Sequence, residues 1–81
     1  MSYYATMRYK SHSVTVKLIG NQVIIDAPIY LAKVWAQKKL KEVAKEYEIE
    51  LTEIQGIFFI SHSKKAMFEE KIIPELEKCK K

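Results

Sequence analysis

Polar and apolar residues alternate along the first third of the chain, a pattern typical of strands with one buried face. Gly20-Asn21 separates two β-branched runs, as the two-residue turn of a β-hairpin does. That turn pairs Val16 with Ile25 and leaves Lys17 on the opposite face. A slip of one residue would exchange the two faces, so the pattern predicts a hairpin with a defined register.

Residues 3–10 alternate in the same way. A two-residue turn at Ser11-His12 would pair Tyr9 with Val14 and Ala5 with Leu18, so that inward residues again meet inward residues. Ser-His is a weaker turn dipeptide than Gly-Asn, and a loop of three or four residues is the alternative. The sequence therefore predicts a three-stranded antiparallel meander.

A helix is expected after the meander, because Asp26-Ala27-Pro28 is a helix-start signal. It is predicted to run to about Tyr47, and a second apolar patch on its far side implies burial on two sides. That patch consists of Leu31, Val34 and Trp35. The apolar stripe expected to lie on the sheet consists of Ile29, Ala32, Ala36, Leu40, Val43, Ala44 and Tyr47.

The remaining chain predicts a loop over residues 48–55, which can contain a short strand or turn, and a buried strand over 57–61 parallel to the third strand or to the first. Ser63 is the expected N-cap of a last helix that begins at Lys64 and is broken or kinked by Pro74. The predicted fold is a single α+β domain over residues 1–81, β-β-β-α-β-α, with both helices mainly on one sheet face. The inward face of the last helix is expected to carry Phe68, Ile72, Leu76 and Cys79.

Composition narrows the class of protein. A single cysteine, Cys79, excludes an internal disulfide framework and a multi-cysteine zinc site. No apolar run approaches the length of a membrane span, and the first residues lack the apolar core of a signal peptide. We expect a cytoplasmic protein that does not enter membranes. The abundance of Lys, Glu, Ile and Tyr is typical of thermophile proteins.

Charge is unevenly distributed. Residues 1–47 hold one arginine and seven lysines against one aspartate and two glutamates, a formal charge of +5, whereas residues 48–81 carry −1. The expected register places Tyr4 opposite Ile19 and Arg8 opposite Thr15 on the outer face of the meander. A basic face with an interleaved aromatic predicts binding of DNA or RNA, and a solvated face that maintains solubility is the alternative. The candidate nucleic-acid-binding residues are Tyr4, Arg8, Lys10, Lys17, Lys38, Lys41 and Lys45.

The tripeptide Ser-His-Ser occurs at residues 11–13 and again at 61–63. The second copy suggests an anion site of Ser63, Lys64 and Lys65 at a helix start. His12 and His62 would serve as an acid and a base only if they converged in space. The simpler interpretation is a capping serine, solvated lysines and turn histidines. We expect no enzyme activity, no metal site and no cofactor.

The second function class is a protein-interaction module, an inhibitor or adaptor, that uses Leu31, Val34 and Trp35. A chain this short has a marginal core, which favours a homodimer. The dimer interface would be that apolar patch, or Phe58 and Ile60 on the open sheet face. The competing expectation is that Phe68 and Ile72 of the last helix cover the patch within one chain.

Overall fold

The computed structural model describes residues 3–81 and has the predicted α+β architecture. Its sheet has five antiparallel strands, one more than expected, in the order β1-β2-β3-β5-β4. The helices pack on one face of this sheet, and that face is the one on which the strand residues are buried. The strands are β1 (Tyr3–Tyr9), β2 (His12–Ile19), β3 (Gln22–Asp26), β4 (Thr52–Ile54) and β5 (Ile57–Phe59).

The β2–β3 hairpin has the register that the sequence predicts. Val16 pairs with Ile25, and both side chains are buried, whereas Lys17 is exposed on the other face. Gly20 has φ +63, and a Cβ added there would meet nothing. Glycine is therefore favoured by the left-handed backbone of the turn and not by close packing.

The β1–β2 register differs from the expectation by two residues. The turn is Lys10-Ser11, so Tyr9 pairs with His12 and Met7 with Val14. Lys10 adopts φ 55, and its N–H donates to the carbonyl of Lys81 at 2.7 Å. Lysine is not a turn signal, so this position was not predicted; the C-terminal backbone stabilises it. Because the shift is even, each residue stays on its expected face.

The long helix, α1 (Tyr30–Glu46), begins later than its start signal. Asp26 is the last residue of β3, the N-cap position is Ile29, and no side chain caps the helix, so the start signal precedes the helix by a few residues. The helix ends at a left-handed Glu48 (φ 58), where the N–H of Ile49 donates to the carbonyl of Ala44 at 2.8 Å.

The strand around Phe58 is antiparallel to β3, which corrects the expected parallel pairing. β4 is the short strand that the sequence left open within residues 48–55; it runs parallel to β3 after α1, and β5 returns between the two to form a split β-α-β unit. The sequence could not choose between a strand and a turn here, because the three residues of β4 are all exposed and show no apolar alternation. Gln55 and Gly56 form the β4–β5 turn, both with positive φ.

The C-terminal helical segment begins with a 3₁₀ turn (His62–Lys64) and continues as α2 (Lys65–Met67), a π-helical turn (Phe68–Ile72) and α3 (Ile73–Glu77). Ser63 lies inside the 3₁₀ turn and caps nothing, so the predicted cap is wrong. The π-helical turn ends two residues before Pro74, whose ring would clash with a regular α-helical turn. The break or kink expected at Pro74 is this departure from α-helical geometry. Phe68, Ile72 and Leu76 are fully buried.

The chain end returns to the edge of the sheet. The N–H of Lys81 donates to the carbonyl of Arg8 at 2.8 Å, and the N–H of Arg8 donates to the carbonyl of Cys79 at 3.3 Å. These bonds cover the second half of the β1 edge. Within residues 3–81, no helix is long and apolar enough to cross a membrane.

Candidate nucleic-acid interface on the open sheet face

The strands present one face that no helix covers, hereafter the open face. Its residues follow from the observed registers, because side chains alternate along each strand and paired residues share a face. They are Tyr4, Thr6, Arg8, Ser13, Thr15, Lys17, Ile19, Gln22, Ile24 and Asp26 on the first three strands, and Thr52, Ile54, Ile57 and Phe59 on the last two.

Tyr4 and Lys17 are direct neighbours on this face. They pair across β1 and β2, which corrects the expected pairing of Tyr4 with Ile19. Tyr4 is 62% exposed, and Lys17 is also exposed. An accessible aromatic ring on the edge strand β1 and an ammonium group on β2 therefore lie side by side.

Arg8 lies further along β1 and is opposite Ser13, not Thr15 as expected. Its guanidinium donates a hydrogen bond to the Ser13 hydroxyl at 2.8 Å, which orients the group and uses one of its five N–H donors. The ion pairs found within residues 3–81 involve Lys39, Lys41 and Lys78, and neither Arg8 nor Lys17 takes part. Both cations of the open face are thus available to an anionic ligand.

Asp26 is the one carboxylate among the described strand residues of the open face. It is the last residue of β3 and pairs with Thr15 of β2. A single acidic group does not cancel two cations. The open face is therefore net positive along β1 and β2.

The other half of the open face is apolar. Ile24 is opposite Lys17 on one side, and the register of β5 brings Ile57 to its other side. Phe59 lies beside Gln22 and is half-buried. Sequence reasoning missed Phe59 and Ile57 because residues 57–60 are all apolar, so no alternation shows which of these side chains face outward.

The remaining predicted lysines do not join this face. Lys38, Lys41 and Lys45 belong to α1, which packs on the opposite side of the sheet. Lys41 lies 3.7 Å from a carboxylate oxygen of Glu53. With Lys45 it lines a groove of 610 Å³ that also holds Glu48 and Glu50. These three lysines therefore lie on the other side of the sheet from the open face, and their expected contacts with the nucleic-acid backbone stay a prediction.

Lys10 also points away from the open face. Its ammonium group lies 5.5 Å from the centre of the Tyr9 ring, and Tyr9 is buried on the helix side of the sheet. The structure therefore brings together three of the seven predicted residues, namely Tyr4, Arg8 and Lys17.

The surroundings of the candidate anion site, Ser63, Lys64 and Lys65, do not favour binding of an anion. Lys64 lines a groove that it shares with Glu48 and Glu50, and the hydroxyls of Ser61 and Ser63 lie 3.3 Å apart. Lys65 is half-buried. Neighbouring carboxylates repel an anion, and the helical piece that begins at Lys65 is a single short turn.

The two histidines do not converge. His12 begins β2, whereas His62 follows Ile60, whose N–H donates to the carbonyl of Asn21 at the far end of the sheet. At the rise of a β-strand, the length of β2 separates them by roughly 20 Å. An acid and a base on one phosphodiester would have to be far closer.

The predicted interface residues fall into two groups. Phe58 (1% exposed) and Ile60 (3%) are buried on the helix side, so their expected place on the open face is wrong. Trp35 is buried against Tyr9, whereas Leu31 and Val34 are exposed, so the C-terminal helical segment does not cover them.

Cys79 is half-buried, and burial raises the pKa of its thiol; Lys39 opposes that rise. The Sγ atom lies 3.6 Å from the carbonyl oxygen of Glu75. A raised pKa keeps the thiol protonated near neutral pH and makes it a weak nucleophile.

Residues 3–81 contain no cluster of His, Cys, Asp and Glu that could hold a metal ion. Comparison of the chain with protein-family models, with curated proteins and with solved structures gives no match.

Proposed function

We propose that the protein binds single-stranded nucleic acid on its open face. The supporting observation is the direct pairing of exposed Tyr4 with Lys17 on a sheet surface free of helices, with Arg8 further along the same strand. Proteins that bind single strands combine cations for the phosphates with aromatic rings on which bases stack.

Each group has a defined role in this proposal. Tyr4 supplies a stacking surface, and the Lys17 ammonium beside it neutralises the adjoining phosphate. Arg8, held by Ser13, donates its remaining N–H groups to a second phosphate. Tyr4 and Arg8 are four residues apart on β1, which corresponds to about 13 Å along the strand.

A single strand is favoured over a duplex because of the apolar half of the open face. Ile24, Ile57 and Phe59 would meet charged phosphates if a duplex lay across the sheet. Unpaired bases have apolar faces that bury such side chains favourably. Separate titrations with single-stranded DNA and RNA distinguish the two nucleic acids.

The test is fluorescence anisotropy with labelled single-stranded DNA and RNA oligonucleotides of about 20 nucleotides, at about 50 and 200 mM salt. We expect binding that weakens with salt, and a double substitution Arg8→Glu and Lys17→Glu that reduces the salt slope by about 1.4, at roughly 0.7 for each phosphate contact on a single strand.

The matched control is Lys38→Glu with Lys45→Glu, which changes the net charge equally but on α1. If this control weakens binding as much as the open-face pair does, binding follows net charge and the assignment to the open face fails. If the parent protein binds neither oligonucleotide at the lower salt, the proposed function fails.

A further inference from the structure

A second surface lies on the helix side of the molecule, between α1 and the end of β1. It is a groove of 460 Å³, hereafter the α1 groove. Its floor is formed by Tyr9, Leu31, Val34 and Trp35. The open face and the α1 groove are on opposite sides of the sheet, so the proposed nucleic-acid site does not account for it.

The accessible part of this floor is aliphatic. Leu31 is 63% exposed and Val34 41%, whereas Tyr9 and Trp35 are buried and pack with their ring centres 5.5 Å apart. The two rings form a rigid base, and the two aliphatic side chains project from it. Burial of such side chains by a ligand is favourable, because it removes apolar surface from water.

The rim of the α1 groove is basic. It carries Lys38, Lys39, Lys80 and Lys81, and its one acidic side chain, Glu42, lies 3.5 Å from Lys39 in an ion pair. Pairing of Glu42 with Lys39 leaves three rim lysines without an ion pair among the described residues. The rim therefore complements negative charge.

We propose that the α1 groove binds an acidic amphipathic helix of a partner protein. Apolar side chains on one face of that helix would contact Leu31 and Val34, and flanking carboxylates would lie against Lys38, Lys80 and Lys81. This is the helix-in-groove mode of recognition, with apolar contacts for affinity and charges for partner choice.

Nucleic acid fits this groove less well, because bases stack on exposed aromatic faces and the two rings here are buried. A second copy of the chain also fits less well. In a two-fold contact each copy presents the same patch, so the basic rim of one copy would face the basic rim of the other.

The probe is a synthetic amphipathic helix of about five turns, with leucine at i, i+3, i+4 and i+7 and glutamate elsewhere. Trp35 is the chain's one tryptophan and lies in the groove, so its emission reports binding directly. We expect a saturable change in emission with the acidic peptide and none with a matched peptide that has lysine in place of glutamate.

Two variants test the contacts. Leu31→Glu and the pair Lys38→Glu with Lys80→Glu should each weaken binding of the acidic peptide by about tenfold or more, since each removes complementarity from a groove of this kind. Leu31 is largely exposed, so the fold should persist, which circular dichroism checks. Leu31→Ser provides a milder second variant.

The opposite pattern would overturn the proposal: equal binding of both peptides, or unchanged binding by the Leu31 variants. A parent protein that scatters light as a dimer and becomes a monomer on Leu31→Glu would identify the occupant as a second copy and also overturn it.

The Arg8→Glu and Lys17→Glu protein must still bind the acidic peptide, and Leu31→Glu must still bind the oligonucleotides, so failure of one site is distinguishable from failure of the other.

Discussion

Lys81 and Arg8 are joined through their backbones, the N–H of Lys81 donating to the carbonyl of Arg8 at 2.8 Å. Residues at the two ends of the chain thus meet at the edge of β1. The same segment accepts the N–H of Lys10 at 2.7 Å. An edge strand with free backbone groups invites pairing with other chains, and the chain end covers that edge near Arg8.

Removal of Lys80 and Lys81 should therefore lower the free energy of unfolding by about 1–3 kcal/mol, from the loss of two backbone hydrogen bonds at about 0.5–1.5 kcal/mol each. Urea denaturation followed by circular dichroism measures the change. Lys80→Ala with Lys81→Ala is the control, because it keeps both backbone bonds. Equal loss in the control would assign the effect to the lysine side chains instead.

Lys10→Gly should stabilise the protein by about 0.5 kcal/mol. Lys10 adopts φ 55, which costs a residue with a side chain about 1–2 kcal/mol, and glycine's larger unfolded-state entropy offsets part of the gain. Ser11→Gly is the matched control, because Ser11 has no positive φ and should lose stability. A thermal melt of both variants distinguishes the two signs.

Much of the meander was predictable because alternation fixes which side chains share a face, and a register shift by an even number of residues leaves those faces unchanged. The register of β1 was not predictable, since Lys10 adopts its left-handed conformation with help from Lys81 at the far end of the chain. The direction of β5 was missed for a related reason: β4 is exposed and lacks apolar alternation, so its presence depends on tertiary pairing with β5. The register error accounts for the wrong partners given to Tyr4 and Arg8. Phe59 was omitted because residues 57–60 are all apolar and show no alternation.

Cys79 should react slowly with iodoacetamide in the folded protein. Burial raises the pKa of its thiol, so the fraction of thiolate at pH 8 is smaller than in the urea-unfolded chain. Because the folded pKa is the higher one, the stability linked to this group is present below the unfolded pKa and is lost as pH rises through the folded pKa. A folded-state alkylation rate equal to the unfolded rate would contradict this expectation.

Phe58 and Phe59 are neighbours in the sequence, but their substitution should affect different properties of the protein. Phe58 is fully buried beneath α1, and Phe58→Ala should lower the free energy of unfolding by about 3–5 kcal/mol. Phe59 is half-buried on the open face, so Phe59→Ala should cost less stability and weaken binding of single-stranded oligonucleotides, where base stacking on an aromatic ring contributes about 1–3 kcal/mol. Denaturation curves and anisotropy titrations on both variants measure the two effects. If Phe59→Ala left oligonucleotide binding intact while Tyr4→Ala abolished it, the ligand would be confined to the meander, and the apolar half of the open face would have no part in recognition.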